Sequence, residues 1–265
     1  MTNIVVKVLI TFALDAEFAP WRNLRGFRRR AWGAVDAYVA EIGGAEVGVV
    51  LTGVGPKQAA FAASKAIEAE RDSLRFCISS GLAGALQPEY RIGQILAARS
   101  VLSERPHQET PERVVEGSAP LVSFAEELGA TVAADFYTAG RVIYRADEKR
   151  RLAHAAEAVE MESFEVLREA AIRSIPAVAI RAVSDVADEE LPLDLNRVFD
   201  DEGRVSFPRV LSQVVRYPKS IPGLVKLGQR SRRAAESLAK FLDRYVAFVA
   251  ERAGNLEAQV TAAVP

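Results

Sequence analysis

The chain has 265 residues, 49% of them hydrophobic and 26% charged, with a formal net charge of -1. That balance suits one soluble α/β domain with material for a large core, and it gives no global electrostatic reason to expect nucleic acid as a partner. The lone cysteine, Cys77, rules out an internal disulfide framework and fits a reducing cytoplasm; within FCISS it reads as a small core residue.

The first predicted element is a buried strand over Val5–Ala13. Lys7 interrupts its apolar run and no small-residue cleavage site follows, so it does not read as a secretory leader. No run of 18 or more apolar residues occurs, and no membrane-spanning helix is expected. Further strands are predicted over Asp36–Ile42, Val47–Thr52, Arg75–Ser79, Ile92–Val101, Thr131–Tyr137 and Pro176–Val183. Helices are predicted between them, over Pro56–Glu70, Leu121–Leu128, Asp147–Ala155 and Glu162–Ile172. Nearly continuous Val, Ile and Ala runs alternating with helices imply one mixed, mostly parallel sheet wrapped by helices.

The last third reads differently. Residues 189–235 form a basic insertion and 236–252 a C-terminal helix, all within one domain spanning 1–265. In that helix Leu238, Phe241, Leu242, Tyr245, Val246 and Val249 recur at i, i+3, i+4 spacing, so one face must be buried. Within 204–233, Arg204, Arg209, Arg216, Lys219, Lys226, Arg230, Arg232 and Arg233 alternate with Phe207, Leu211, Val214, Val215, Ile221, Leu224, Val225 and Leu227. A solvated helix face with core contacts is the plainer account, and peripheral contact with an anionic membrane is the alternative it leaves open.

Several short motifs are weak alone. TGVGPKQAA (Thr52–Ala60) is a glycine turn into a helix with Pro56 at N1, but it lacks the third glycine of a dinucleotide fingerprint. SSGLAGAL (Ser79–Leu86) follows a strand with small residues that let a ligand approach the backbone. Asp15 and Glu17, just past the first strand, suit a helix N-terminus. His107 and His154 have no ligand spacing, so neither a metal nor a cofactor is expected, and no nucleophile elbow is present.

Together these motifs carry more. A carboxylate after strand one, a GxG before a helix, SGLAG, VEMES (Val159–Ser163) and RAVSDVAD (Arg181–Asp188) occur in an order that resembles the nucleoside phosphorylase/nucleosidase superfamily. The branch most similar is that of 5′-methylthioadenosine/S-adenosylhomocysteine nucleosidases, over about Val5 to Asp188. The tail FDDEGRVSFPRVLSQVVRYPKSIPGLVKLGQRSRRAAESLAKFL resembles hopanoid-biosynthesis-associated members, as does SGLAGAL.

The resemblance implies a three-layer α/β/α fold and cleavage of adenine from a 5′-substituted adenosine such as methylthioadenosine, S-adenosylhomocysteine or adenosylhopane. It places Asp185 at the purine as general acid, which burial or acidic neighbours would keep protonated, and Glu17 at the water as general base. Two carboxyl groups on opposite sides of a glycosidic bond are the inverting arrangement. Ser184 would orient Asp185. Glu160 and Glu162 would grip the ribose, with Met161 packed under it and Arg181 holding a carboxylate in place. Ala83 and Gly84 would line the cleft, and the backbone of Val142 and Ile143 would read the base edge.

Phosphorylases of this superfamily carry arginines where this chain has Glu17 and near Ser79, so water is favoured over phosphate as nucleophile. Phosphorolysis and a non-catalytic nucleoside-binding protein are the alternatives. Leu82 stands where hydrolytic relatives position water with a serine. A homodimer is also implied.

Overall fold

Strand β1 (Val6–Phe12) shows how the layers arise. Val8, Ile10 and Phe12 enter one buried cluster, while Leu9 enters another on the opposite face. A strand buried on both sides needs helices on both sides. The computed structural model describes residues 6–32, 35–104, 111–198, 200, 206, 212 and 216–262. The elements after β1 are α1 (Asp15–Leu24), β2 (Arg28–Trp32), β3 (Val35–Ile42), β4 (Ala45–Leu51), α2 (Pro56–Ala69) and β5 (Leu74–Ala85). Then come β6 (Ile95–Glu104), β7 (Pro111–Glu116), α3 (Ala119–Glu127), β8 (Thr131–Thr138) and α4 (Ala146–Leu152). The chain continues through β9 (Ala158–Glu160), α5 (Ser163–Ile172) and β10 (Ala177–Asp185) to α6 (Ile221–Ala262).

Ten strands form one mixed sheet, with β1–β4, β1–β5, β5–β10, β6–β8 and β8–β9 parallel and the remaining pairings antiparallel. The long central ladders are the parallel ones. Half of the sheet closes on itself: β5 pairs β10, β10 pairs β6, β6 pairs β8, β8 pairs β9, and β9 returns to β5. From β5 the sheet runs outward through β1, β4, β3 and β2. Because β1, β5 and β10 run parallel, their carboxyl ends meet at one edge, where α/β sheets bind ligands.

Helices α1 and α6 cover one face, where Phe18 and Trp21 pack with Leu238, Phe241 and Tyr245. Helices α2 and α5 cover the other, contributing Ala59, Ala63, Ile67, Val166 and Leu167. The six residues that predicted a buried stripe on the last helix are all at most 3% exposed. That helix is far longer than predicted, however. It begins at Ile221, so the second part of the supposed insertion is its first turns.

Two charges from that part are used internally: Lys226 and Arg230 both pair with Glu189. Arg204, Phe207, Arg209, Leu211, Val214, Val215 and His107 lie outside the described residues. The SGLAG segment also departs from expectation. It does not follow β5 but forms its last turns of backbone, pairing with β10 and β9.

Candidate active site

Glu17 is the third residue of α1, and one of its oxygens reaches back to the start of that helix. Oε2 accepts from the backbone N–H of Ala13 and Leu14, each at 3.1 Å, as a carboxylate at N3 does. Its Oε1 accepts from the N–H of Leu82 across the sheet, also at 3.1 Å. The helix-terminus account of Glu17 is therefore correct, but the carboxylate also faces a cavity. Asp15 has no such double use: it is exposed and paired with Arg22.

Glycine at position 81 permits this approach. Gly81 adopts φ +148°, and a Cβ there would collide with the Arg181 guanidinium and lie 3.1 Å from Glu17 Oε1. Only a bare backbone fits between that cation and that carboxylate.

Arg181 is completely buried on β10. It pairs with Glu160 and, at 3.4 Å, with Glu162, and it donates to Ser163 Oγ (2.9 Å), Ser79 Oγ (3.3 Å) and the Ser80 carbonyl (3.1 Å). It thus holds the VEMES turn from behind and does not itself line the cavity.

Glu160 lines the cavity but is also tied closely into the protein. Its oxygens accept from Thr138 Oγ1, from Arg181, and from the N–H groups of Glu162 (2.9 Å) and Ser163 (2.7 Å) at the mouth of α5. Four protein donors therefore meet its two oxygens, three of them at Oε2. Glu162 accepts from the Gly55 N–H at 2.9 Å. Gly55, at φ +103°, caps α2 with Pro56 behind it, so the glycine turn that fails as a dinucleotide motif supplies a donor to this site.

Burial pushes the Glu162 carboxyl up to about 8; Arg181 opposes this, and the neighbouring carboxylates Glu160 and Glu17 add to it. Burial raises Glu17 too, against the pull of Arg181 and of the three N–H donors. The sign for stability follows. Between the ordinary 4.5 and about 8 the folded chain keeps a proton on Glu162 that the unfolded chain has lost, so this group's contribution is complete below 4.5 and disappears as pH climbs to 8. Thermal unfolding of the ligand-free protein should shift to lower temperature over that range, with a loss of stability on the order of a few kcal/mol at its upper end. Glu162→Gln should flatten the dependence, and an unchanged slope in that variant would refute the assignment.

Asp185 ends β10, and its surroundings were not foreseen. Ser184 Oγ bonds Asp185 Oδ1 at 2.8 Å, as expected, and lies 3.3 Å from the Ala83 carbonyl. Among the described residues the group bonded to Oδ2 is not acidic. Oδ2 accepts from the Nζ of Lys149, a fully buried residue of α4. A charged run, Asp147–Arg151, reads in sequence as a solvated helix face, and nothing in it singles out the one lysine turned inward.

One cavity of about 210 Å³ is lined by Glu17, Leu82, Ala83, Gly84, Val142, Ile143, Glu160, Met161, Glu162, Ser184 and Asp185, among others. Every predicted site residue except Arg181 is there. Val142 and Ile143 wall it, but both backbone groups of Val142 are engaged by the Asn196 carboxamide, N–H at 2.6 Å and C=O at 3.0 Å. Asn196 thus occupies the Val142 half of the backbone expected to read the base edge. A second cavity of about 710 Å³ shares Leu14, Glu17, Leu82 and Ser231 with the first and extends between α1 and α6.

A family model described as the phosphorylase superfamily matches residues 7–216. The chain belongs to the phosphorylase superfamily. Among solved structures of similar fold, native futalosine hydrolase from Helicobacter pylori aligns with a TM-score of 0.69 at 18% identity, covering 92% of this chain and 99% of that one. The 5′-methylthioadenosine/S-adenosylhomocysteine nucleosidase of Neisseria meningitidis, in complex with methylthio-immucillin-A, aligns at 0.68 and 18% identity, covering 92% and 99%. The corresponding Helicobacter pylori nucleosidase with butyl-thio-DADMe-Immucillin-A aligns at 0.68 and 18%, covering 91% and 98%. At such identity the likeness to these phosphorylase-superfamily structures is one of fold.

Proposed function

We propose that the chain is a purine nucleosidase that cleaves a 5′-substituted adenosine with water. The observation that carries this is a single cavity holding carboxyl groups from three separate segments, at Glu17, Glu162 and Asp185. In the reaction the C1′–N9 bond breaks, its electron pair passes to the purine, and N7 takes a proton from the Asp185 side. Water bonds to C1′ and yields its proton to Glu17. Glu162 faces the 2′-hydroxyl, and in its ionised form it accepts a hydrogen bond that strengthens as positive charge develops on the ring. The upward direction in which burial moves Glu17 makes it a stronger base than an ordinary carboxylate.

Electrostatics support water over phosphate. The cation lining the cavity is Arg141, and its guanidinium is paired with Glu148 at 2.8 and 3.1 Å. A phosphate dianion beside Glu17 would meet repulsion of roughly several kcal/mol at short range. The second cavity supports a 5′ group larger than methylthio, since it opens from the Glu17 end of the first; methylthioadenosine, S-adenosylhomocysteine and adenosylhopane remain the candidate substrates.

A panel of 5′-substituted adenosines, run with and without phosphate, tests the reading. Adenine and a free reducing sugar are expected, at a rate phosphate does not change. A sugar 1-phosphate would make the protein a phosphorylase, and tight binding without release of base would make it a sensor.

A homodimer belongs to the same proposal. Helices α2 and α5 pack together and leave Phe61 (68%) and Ile172 (65%) exposed, which a second copy would cover. So does membrane contact, supported by exposed Tyr217, Ile221 and Val225 near Arg216 and Lys219. Light scattering reading a monomer, or no salt-sensitive binding to anionic vesicles, would remove each in turn.

A further inference from the structure

Lysine is almost never fully buried without a partner, because desolvating an ammonium costs several kcal/mol. Lys149 has no exposed surface at all. Its three hydrogens go to Asp185, to the Val186 carbonyl at 2.9 Å and to the Glu189 carbonyl at 3.2 Å. Its neighbours Arg150 and Arg151 on the same helix are exposed. A buried ion pair as a whole can be replaced by apolar side chains with little or no loss of stability, so the use of this pair is to be sought in what the ammonium touches. It does not line the cavity, and Asp185 stands between it and any base bound there.

We propose that Lys149 is the positioning residue of the base-side acid and the source of its proton. This rests on the nucleosidase reading. As the C1′–N9 electron pair moves onto the purine, the Asp185 carboxyl gives a proton to N7, and Lys149 Nζ supplies one to that carboxyl. Lys149 is left as an amine still donating to the Val186 and Glu189 carbonyls, while Glu17 holds the proton lost by water. Solvent then returns a proton from Glu17 to Lys149, and the sum is nucleoside plus water giving purine plus sugar. The two carbonyls aim Nζ at Asp185 through the whole cycle, which neither a surface lysine nor bulk water would do.

The test compares leaving groups. Lys149→Met keeps the length and removes the charge and the proton. On 5′-methylthioadenosine its kcat should fall by about a hundredfold or more, the scale of general acid help. On 4-nitrophenyl β-D-riboside or a 7-methylated nucleoside, whose leaving groups depart without a proton, kcat should stay within about threefold of the unaltered protein. A structural role would lower both classes alike, and equal losses therefore overturn the proposal, as do unchanged rates on both. If Lys149→Met does not fold, Lys149→Gln, which retains hydrogen bonds to the carbonyls, is read the same way. An unaltered protein that cleaves none of these compounds would sink the nucleosidase reading and this proposal with it; cleavage without the leaving-group contrast sinks the proposal alone.

Discussion

Asp185→Asn and Glu17→Gln are each expected to lower kcat by about a hundredfold or more while leaving nucleoside binding largely intact. The two act at opposite ends of the broken bond, and neither amide can move a proton. Each exchange also has a structural cost that must be separated from the catalytic one. In Glu17→Gln one oxygen still accepts from Ala13 and Leu14, but the new amide hydrogens face the Leu82 N–H, donor against donor. In Asp185→Asn the amide oxygen still accepts from the buried Lys149 ammonium, but no negative charge is left to balance it. Rates should therefore be normalised to folded protein by a thermal melt. Near-normal turnover in either folded variant would overturn its role.

Arg181→Met should be the most damaging substitution for stability, at about 3–5 kcal/mol, the scale for removing one side of a buried ion pair. The guanidinium is the sole cation in contact with Glu160 and Glu162 among the described residues, and it ties the serines at 79 and 163 into the same cluster. Its loss leaves the buried carboxyl groups of Glu160 and Glu162 with backbone and hydroxyl donors alone. Chemical denaturation would measure the change. A loss below about 1 kcal/mol would mean that the carboxylates take up protons at little cost and that the pair contributes almost nothing. Lysine at this place should not rescue, because one ammonium cannot serve acceptors spread around a planar fork.

Much of this arrangement was legible in the residues. Long Val- and Ile-rich runs announced β1, β4 and β10, and the stripe from Leu238 to Val249 announced the buried face of α6. Elements too short or too polar for a period were not visible. The three residues of β9 cannot display alternation, β2 opens with three arginines, and β7 contains Pro111. Without β9 the return of the sheet to β5 could not be foreseen.

The site residues were legible only as a set, through resemblance, because each carboxylate alone has an ordinary explanation that is also true of it. Glu17 does cap a helix, and Glu160 does accept from the first N–H groups of another. What sequence could not supply was direction: that Glu160 spends its oxygens inside the protein, that Asn196 covers Val142, and that Lys149 turns inward from a charged helix.

The return of β9 to β5 divides the pocket's parts by how freely they can drift. Gly84, Glu160 and Asp185 all sit on the five strands that close into a hoop, with no free edge to fray. Glu17 hangs outside it, on the loop and helix after β1, tied across by the Leu82 amide. Warming should therefore loosen the water side of the reaction before the base side. Amide exchange would register this as earlier deuterium uptake near Leu14 than at residues 83–84 or 182–185.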